Sequence, residues 1–430
     1  MKHSSKIKKR LFRTVDIADD LESVTDIDSA NEVSPQKADL SREAVDAIWE
    51  ACEALYRSGV YRMFSICVRR HGHIVLNRSV GEYRPGKTAT VNTPVCLFSA
   101  SKAISAVLIH LLDEQGHVNL LNPVSYYIPA FAAKGKGSIT LQQLLSHRGG
   151  VPRVPEDVDL DLLFDHDAGV RMICESEPTD HRGAELAYHA LTSGFILAEL
   201  IKVTTGMTAQ QYLKKYIADP LGMRYFRYGL TKRDEARAAI NEVTGLKLSL
   251  IDNKLAQVLG THPQTAIDLT NDPRFYKAIV PSANIFATAE EVSRFYQMLL
   301  NHGEWQGRQV LDPLTVHRAV RPLGKMEFDR SLMLPMRYSA GMMLGASPFG
   351  MFGKDSEYAF GHLGYANIFG WADPQRDIAV SIMNTGKVVL GPHLVPFLKL
   401  LGAISEHCEP VVDMQSDVPV YKRKTTRAAR

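Results

Sequence analysis

The chain has 430 residues, 45% of them hydrophobic and 23% charged, which sets the expectation of a folded protein with a sizeable core. Its net charge of +3 gives no general case for nucleic-acid binding, and no apolar run approaches the ~18 residues needed to span a membrane. Five cysteines, Cys52, Cys67, Cys96, Cys174 and Cys408, lack metal-ligand spacing and read as free thiols filling apolar space in a reducing compartment.

The chain opens on "MKHSSKIKKRLFR", which is basic but lacks the apolar segment of a secretory signal, so a cytoplasmic location is expected. The acidic "DIADDLESVTDID" follows, and residues 1 to about 40 are expected to form a polar, solvated tail. From Ser41, a capping residue, Val45, Ile48 and Leu55 share one side of a helix that Gly59 ends. "RMFSICVRR" and "HIVLNRSVG" read as strands joined by a tight turn at His71 and Gly72; His71 and His73 are surface residues, with no third ligand for a metal. "SASKAISAVLIHLLDEQG" is the strongest helix, with Ile104, Val107, Leu108, Leu111 and Leu112 at helical spacing. Thr140 caps a shorter helix in "ITLQQLLSHRGGVP". "LTSGFILAELIKVTTG" and "TAQQYLKKYIADPLGM" are two more, and Thr288 with Glu291 forms a capping box before "AEEVSRFYQMLLNHG". "NIFGWADPQRDIAVSIMN" reads as two strands around a turn, and "LVPFLKLLGAI" as a closing helix.

Strands at both ends and helices between them predict an α+β fold: an antiparallel sheet built from the two ends of the chain, with a mostly helical insertion. The expected domain is 41–403, with its sheet part at about 41–97 and 330–403, its helical part at about 98–329, and a basic tail at 404–430.

One motif points elsewhere. "GEYRPGKT", Gly81 to Thr88, fits the phosphate-cradle pattern G-x-x-x-x-G-K-[ST]. Such a loop works because its lysine opens a helix, whose N–H groups hold the phosphates. Here "TATVNTP" follows Lys87, rich in β-branched residues and stopped by Pro94. The segment therefore reads as a connector and not as a nucleotide site.

The pattern S-x-x-K is weaker and occurs three times, but only Ser99/Lys102 opens an amphipathic helix. Residues three apart on a helix are neighbours, so Lys102 can reach the Ser99 hydroxyl. An apolar face behind Lys102 would lower its pKa and suit it to activate a serine. By itself the motif reads more readily as a serine cap before a surface lysine.

Two later stretches add to it: "ELAYHALTSGFILAEL" carries Tyr188, and "YAFGHLGYANIFGWADP" carries His362, Leu363 and Gly364. In this order the chain resembles the serine β-lactamase and penicillin-binding-protein superfamily, nearest to its class C and esterase branch. "ITLQQLLSHRGGVP", "IADPLGM" and "VPSANIFATAEEVSRFY" are further phrases similar to that family's, and the likeness runs over about 41–403. The resemblance implies Ser99 as acylated nucleophile, Lys102 in its proton network, and Tyr188 as a general base, a partly ionised phenol held near Lys102. It implies oxyanion donation by the N–H groups of Ser99 and Tyr365. His362 stands where many relatives carry the lysine of K-[ST]-G, and Gly364, Asn284 and Trp371 are further positions expected at the substrate. No metal and no cofactor are implied.

Departures from the family pattern bear on substrate. Tyr188-His189-Ala190 lacks the asparagine that would bind a β-lactam amide, and His362 removes a fixed cation for a substrate carboxylate. Both favour an esterase on a small-molecule ester, with acyl transfer to an alcohol as the alternative. β-Lactamase or D,D-peptidase activity comes next, then a catalytically inactive binding protein. No G-x-S-x-G elbow of the α/β-hydrolase type occurs.

Overall fold

The computed structural model describes residues 12–154, 159–246, 256, 261–412 and 414. The basic ends of the expected tails, 1–11 and 415–430, lie outside the described residues. The main sheet is formed by β1 (Thr25–Ile27), β2 (Met63–Arg70), β3 (His73–Arg84), β4 (Met343–Leu344), β5 (Phe360–Gly364), β6 (Ile368–Asp373) and β7 (Ile378–Asn384). Their spatial order is β4-β5-β6-β7-β2-β3-β1, and Lys87–Thr88 adds an eighth strand beside β3. The two ends of the chain meet where β7 runs antiparallel to β2, from Ile378 opposite Arg70 to Asn384 opposite Phe64. This is the expected α+β architecture.

Four helices cover the sheet, α1 (Arg42–Tyr56), α2 (Ser101–Glu114), α4 (Ala289–Leu300) and α5 (Leu394–His407), and α3 (Thr192–Thr205) packs against α2. Strands β2, β6 and β7 are buried along their whole length because both faces are covered. On one face Phe64, Val380, Ile382 and Trp371 share a core with Ile48 and Leu55 of α1 and with Phe397 and Leu401 of α5. On the other face Met63, Cys67, Ala372 and Ala379 join a larger core with α2, α3 and α4. The alternation of Phe64 and Ile66 with Met63 and Cys67 is the period-two pattern that assigns each side chain its layer.

Local signals place the elements. The Ser41 hydroxyl accepts from the Ala44 N–H, and Thr288 and Glu291 cap α4 reciprocally. Such caps contribute about 1 kcal/mol each. His71 and Gly72 both have positive φ, 51° and 77°, and join β2 to β3 in a two-residue turn.

The stretch "GEYRPGKT" is part of this sheet. Strand β3 runs past Gly81 to Arg84, turns at Pro85 and Gly86, and returns as Lys87–Thr88. Gly81 has φ +97°, and a Cβ there would lie 2.1 Å from the Arg62 carbonyl oxygen. Its glycine serves a close strand approach, and no helix follows Lys87.

Residues 12–40 correct the expectation of a solvated tail. β1 pairs with β3, and Leu21, Ala38 and Leu40 are buried. The acids that read as solvated have partners. Asp26 accepts from the Val91 N–H at 2.9 Å, Asp28 accepts from the Asn77 amide at 2.8 Å, and Glu32 takes the Arg78 guanidinium with two 3.0 Å bonds. At the other end α5 continues past 403 to His407, burying Ile404 and Cys408.

Candidate active site

Ser99 lies in a single 3-10 turn, Phe98–Ala100, that leads directly into α2. Phe98 has φ +47°, a left-handed conformation that is strained for a bulky side chain. The turn is held from two sides. The Leu97 N–H donates to the Ile285 carbonyl at 2.8 Å, and the Phe98 ring lies 5.9 Å from the Tyr365 ring. β5 approaches so closely that a Cβ on Gly364 would sit 2.3 Å from the Leu97 carbonyl oxygen. Only glycine lets the strand come that near the serine turn.

Lys102, in the first turn of α2, is buried, and its Nζ meets three oxygens. These are Ser99 Oγ at 3.1 Å, the Ala190 carbonyl at 2.7 Å and the Ser282 carbonyl at 3.0 Å. Burial pushes its pKa well below that of an ordinary lysine. The two carbonyls can only accept, so both must receive an N–H. The Ser99 hydroxyl can also donate. A neutral amine has two N–H bonds and one lone pair, so its lone pair faces Ser99.

Tyr188 is brought beside them by the loop before α3, with Lys102 Nζ 5.0 Å from its ring centre. Burial raises the phenol's pKa, the hydrogen bond to Ser99 opposes that rise, and the nearby Asp329 carboxylate adds to it. The expected partly ionised phenol is not what these surroundings favour: Tyr188 is held as a neutral O–H. Asp329 also fixes its backbone. One carboxylate oxygen accepts from the N–H groups of Tyr188 (3.1 Å), Ser331 (2.9 Å) and Leu332 (2.9 Å), and the other accepts from the Tyr338 hydroxyl (3.2 Å).

A cavity of about 280 Å³ opens on Ser99 and Tyr188. Gly364 and Tyr365 line it, together with Leu163, Leu191, Ile267, Phe275, Met333 and Met343. Among the described residues that line it, none is charged.

Three sequence expectations are corrected here. His362 packs behind Tyr188, ring centres 6.1 Å apart, with Nδ1 2.6 Å from the Leu363 carbonyl. It is buried and does not line the cavity, and burial, with Lys102 nearby, pushes its pKa down to about 3. Asn284 is fully buried; its amide donates to the Phe275 and Ala278 carbonyls and its oxygen accepts from the Val280 N–H. It stabilises the loop before residues 285–287 and does not line the cavity. Trp371 points to the opposite face of the sheet, where it stacks on Phe352 at 5.8 Å. Its place in β6 put it one residue out of phase with the site-facing side.

Sequence reasoning missed Ser282 and Asp329. Ser282 lies inside the phrase "VPSANIF", two residues before Asn284, and its useful group is a main-chain carbonyl, which no side-chain pattern signals. Asp329 sits in no motif. A third cluster, His166, Asp167 and Glu199, brings potential metal-ligand atoms within 4.8 Å of one another. Lys202 already spans its carboxylates, at 3.0 Å from Asp167 and 3.5 Å from Glu199.

A family model described as Beta-lactamase matches residues 48–394. The chain belongs to the β-lactamase family. It is a serine hydrolase of that family. The Mycobacterium tuberculosis protein named Esterase/beta-lactamase LipL is 26% identical over 300 residues, which covers 67% of this chain and 68% of that one. A solved family VIII carboxylesterase superposes with a TM-score of 0.74 at 23% identity, over 86% of this chain and 99% of its own, a likeness of fold. EstA from Arthrobacter nitroguajacolicus Rue61a gives a TM-score of 0.71 at 25% identity, over 85% and 96%. Among the described residues, no helix is long and apolar enough to cross a membrane.

The β-lactamase-family core here carries a buried histidine cluster with a consequence for stability. Burial lowers the pKa of His189 to about 4 and of His362 to about 3, and pushes His147 well below its ordinary value. These groups stay neutral when folded but bind protons near pH 6.5 when unfolded. Stability is therefore fully present above about pH 6.5 and falls as pH drops toward 4, by about 1.4 kcal/mol per pH unit for each group. Urea titrations at pH 7.5 and pH 5 should show the midpoint falling at pH 5. An unchanged midpoint would contradict neutral burial of these rings.

Proposed function

We propose that this protein is a carboxylesterase that cleaves neutral esters through an acyl-enzyme on Ser99. The observation that carries this reading is the bonding of Lys102: two carbonyls consume its N–H donors and leave its lone pair for the Ser99 hydroxyl. Lys102 takes the Ser99 proton as Oγ attacks the ester carbonyl. The oxyanion is received by the N–H groups of Ser99 and Tyr365. Tyr188 relays the proton from Lys102 to the departing alkoxide, and its phenol ends as it began, neutral. Water enters, gives a proton back along the same route, and releases the acid.

None of the described residues that line the cavity is charged, which supports neutral esters over β-lactams and D-alanyl peptides, both of which carry a carboxylate. Short-chain nitrophenyl esters should be turned over faster than a chromogenic cephalosporin. Faster cephalosporin turnover would sink the substrate assignment. Adding a primary alcohol to the assay separates hydrolysis from acyl transfer, because transfer yields a new ester in place of free acid.

Tyr188→Phe tests the relay. A nitrophenolate leaves without a proton, whereas an alkoxide needs one. The variant should lose about 10²-fold or more in kcat/KM on an alkyl ester but about tenfold or less on the nitrophenyl ester of the same acid. Equal losses on both would make Tyr188 the base that activates Ser99 and would displace Lys102 from that role.

A further inference from the structure

The antiparallel hairpin formed by Glu327–Asp329 and Leu334–Met336 joins the cavity to the surface. Its inner face is anchored: Asp329 and Met336 are buried, and Asp329 ties the hairpin to the Tyr188 backbone at 3.1 Å. Its tip reaches the reacting space, since Ser331, Leu332 and Met333 line the cavity. Apolar side chains are also exposed at its outer face (Phe328), at its tip end, where Leu334 stands opposite Asp329, and along its approach. Phe328 and Leu334 are each 54% exposed, and Leu323 and Met326 precede them. This apolar strip of exposed side chains, Leu323, Met326, Phe328 and Leu334, leads along the segment to the tip residues that line the cavity.

The exposed charges of this segment that have no ion-pair partner among the described residues are basic. They are Arg321 and Lys325; Arg330 is exposed too, but it pairs with Glu185 at 3.0 Å. Its exposed acid, Glu327, is paired with Arg148 at 2.5 Å, and Asp329 is buried. Apolar side chains ringed by basic ones match an anionic lipid surface, where the former enter the headgroup boundary and the latter meet the phosphates. A stable protein partner on this strip would cover the entrance to the cavity; a lipid surface would instead supply it with apolar ester.

We propose that the 321–334 segment seats this protein on anionic lipid surfaces and draws its ester substrate from them. The substrate then belongs to the class of acyl esters that partition into bilayers or micelles. This rests on the esterase reading, but the surface can be tested apart from it.

The test is flotation of the full chain with phosphatidylcholine vesicles, with and without phosphatidylglycerol, for the wild type and for a Phe328→Asp, Leu334→Asp double variant. The wild type should float with the anionic vesicles, and the double variant should lose that binding by about tenfold or more. Both should hydrolyse a water-soluble nitrophenyl ester within about twofold of each other, which reports that the variant is folded. Failure of the wild type to float, or equal flotation of the double variant, overturns the proposal. So does a dimer in sedimentation that the double substitution splits, because the strip would then be an interface between copies. A wild type that floats but hydrolyses no soluble ester defeats the esterase reading and leaves the lipid-seating claim standing.

Discussion

Replacing Ser99 by alanine is expected to remove ester hydrolysis, with kcat falling by at least about 10⁴-fold. Under the proposed mechanism Ser99 is the nucleophile. Its hydroxyl meets Lys102 Nζ at 3.1 Å, borders the cavity, and is preceded by the strained Phe98 that turns it outward. What survives in the variant is binding and oxyanion donation, which still polarise the carbonyl but offer it no internal attacker. The fold should survive as well. The Ser99 side chain contributes its hydrogen bonds with Lys102 and Tyr188 and no core packing, so the stability change should stay within about 1 kcal/mol. A fluorophosphonate should label the wild type and not the variant. If Ser99→Ala hydrolyses ester at the wild-type rate, another nucleophile does the chemistry. If the wild type is neither labelled nor active, the family member is a binding protein.

The fold was largely legible because its signals are local and redundant. α2 announces itself by Ile104, Val107, Leu108, Leu111 and Leu112, and each of these is buried as the spacing requires. The α4 capping box and the His71-Gly72 turn were readable for the same reason: a few adjacent residues determine the backbone. The segment at 12–40 was misread because its acids are partnered across long sequence gaps, Glu32 to Arg78 and Asp26 to Val91. Charge content alone cannot distinguish a solvated acid from one that meets a guanidinium.

The site divides the same way. Ser99 and Lys102 are three apart on a helix start, so one stretch of sequence determines their meeting. Tyr188 was reachable only through the order of motifs along the chain. Asp329 was not reachable at all. Its role is to accept backbone N–H bonds from Tyr188, Ser331 and Leu332, and a lone aspartate at the end of a three-residue strand carries no periodicity or spacing that predicts this. The opposite error occurred at "GEYRPGKT". There a specific-looking pattern follows from strand packing at Gly81 and a turn at Gly86, and its letters carry no chemistry. A motif has meaning only with the backbone it requires, and the weaker S-x-x-K acquired that backbone from α2.

Lys102→Met should lower kcat/KM by about 10³-fold and flatten the acid limb of its pH profile. In the wild type, burial favours the neutral amine, so the base form is present at lower pH than in a free lysine. Activity should therefore rise with pH along a limb centred below the ordinary lysine pKa of 10.5, and that limb should vanish in the variant. Methionine fills similar volume but leaves the Ala190 and Ser282 carbonyls without their donor, at a cost of about 1–3 kcal/mol for each that stays dry. A thermal melt separates this loss of stability from the loss of base. Lys102→Arg sharpens the distinction. Its guanidinium can donate to both carbonyls yet keeps its charge at any working pH and has no lone pair for Ser99. A lysine that merely supplies positive charge would be replaceable by arginine; a lysine that takes the proton would not, and the arginine variant should be as inactive as the methionine one. Lys102→Ala offers the complementary test, because it leaves a gap lined by those two carbonyls. Small primary amines should restore part of its activity, while quaternary ammonium ions, which have neither N–H nor lone pair, should not. Rescue by both, or wild-type activity in Lys102→Arg, would show that Lys102 acts through its charge and would return the role of base to Tyr188.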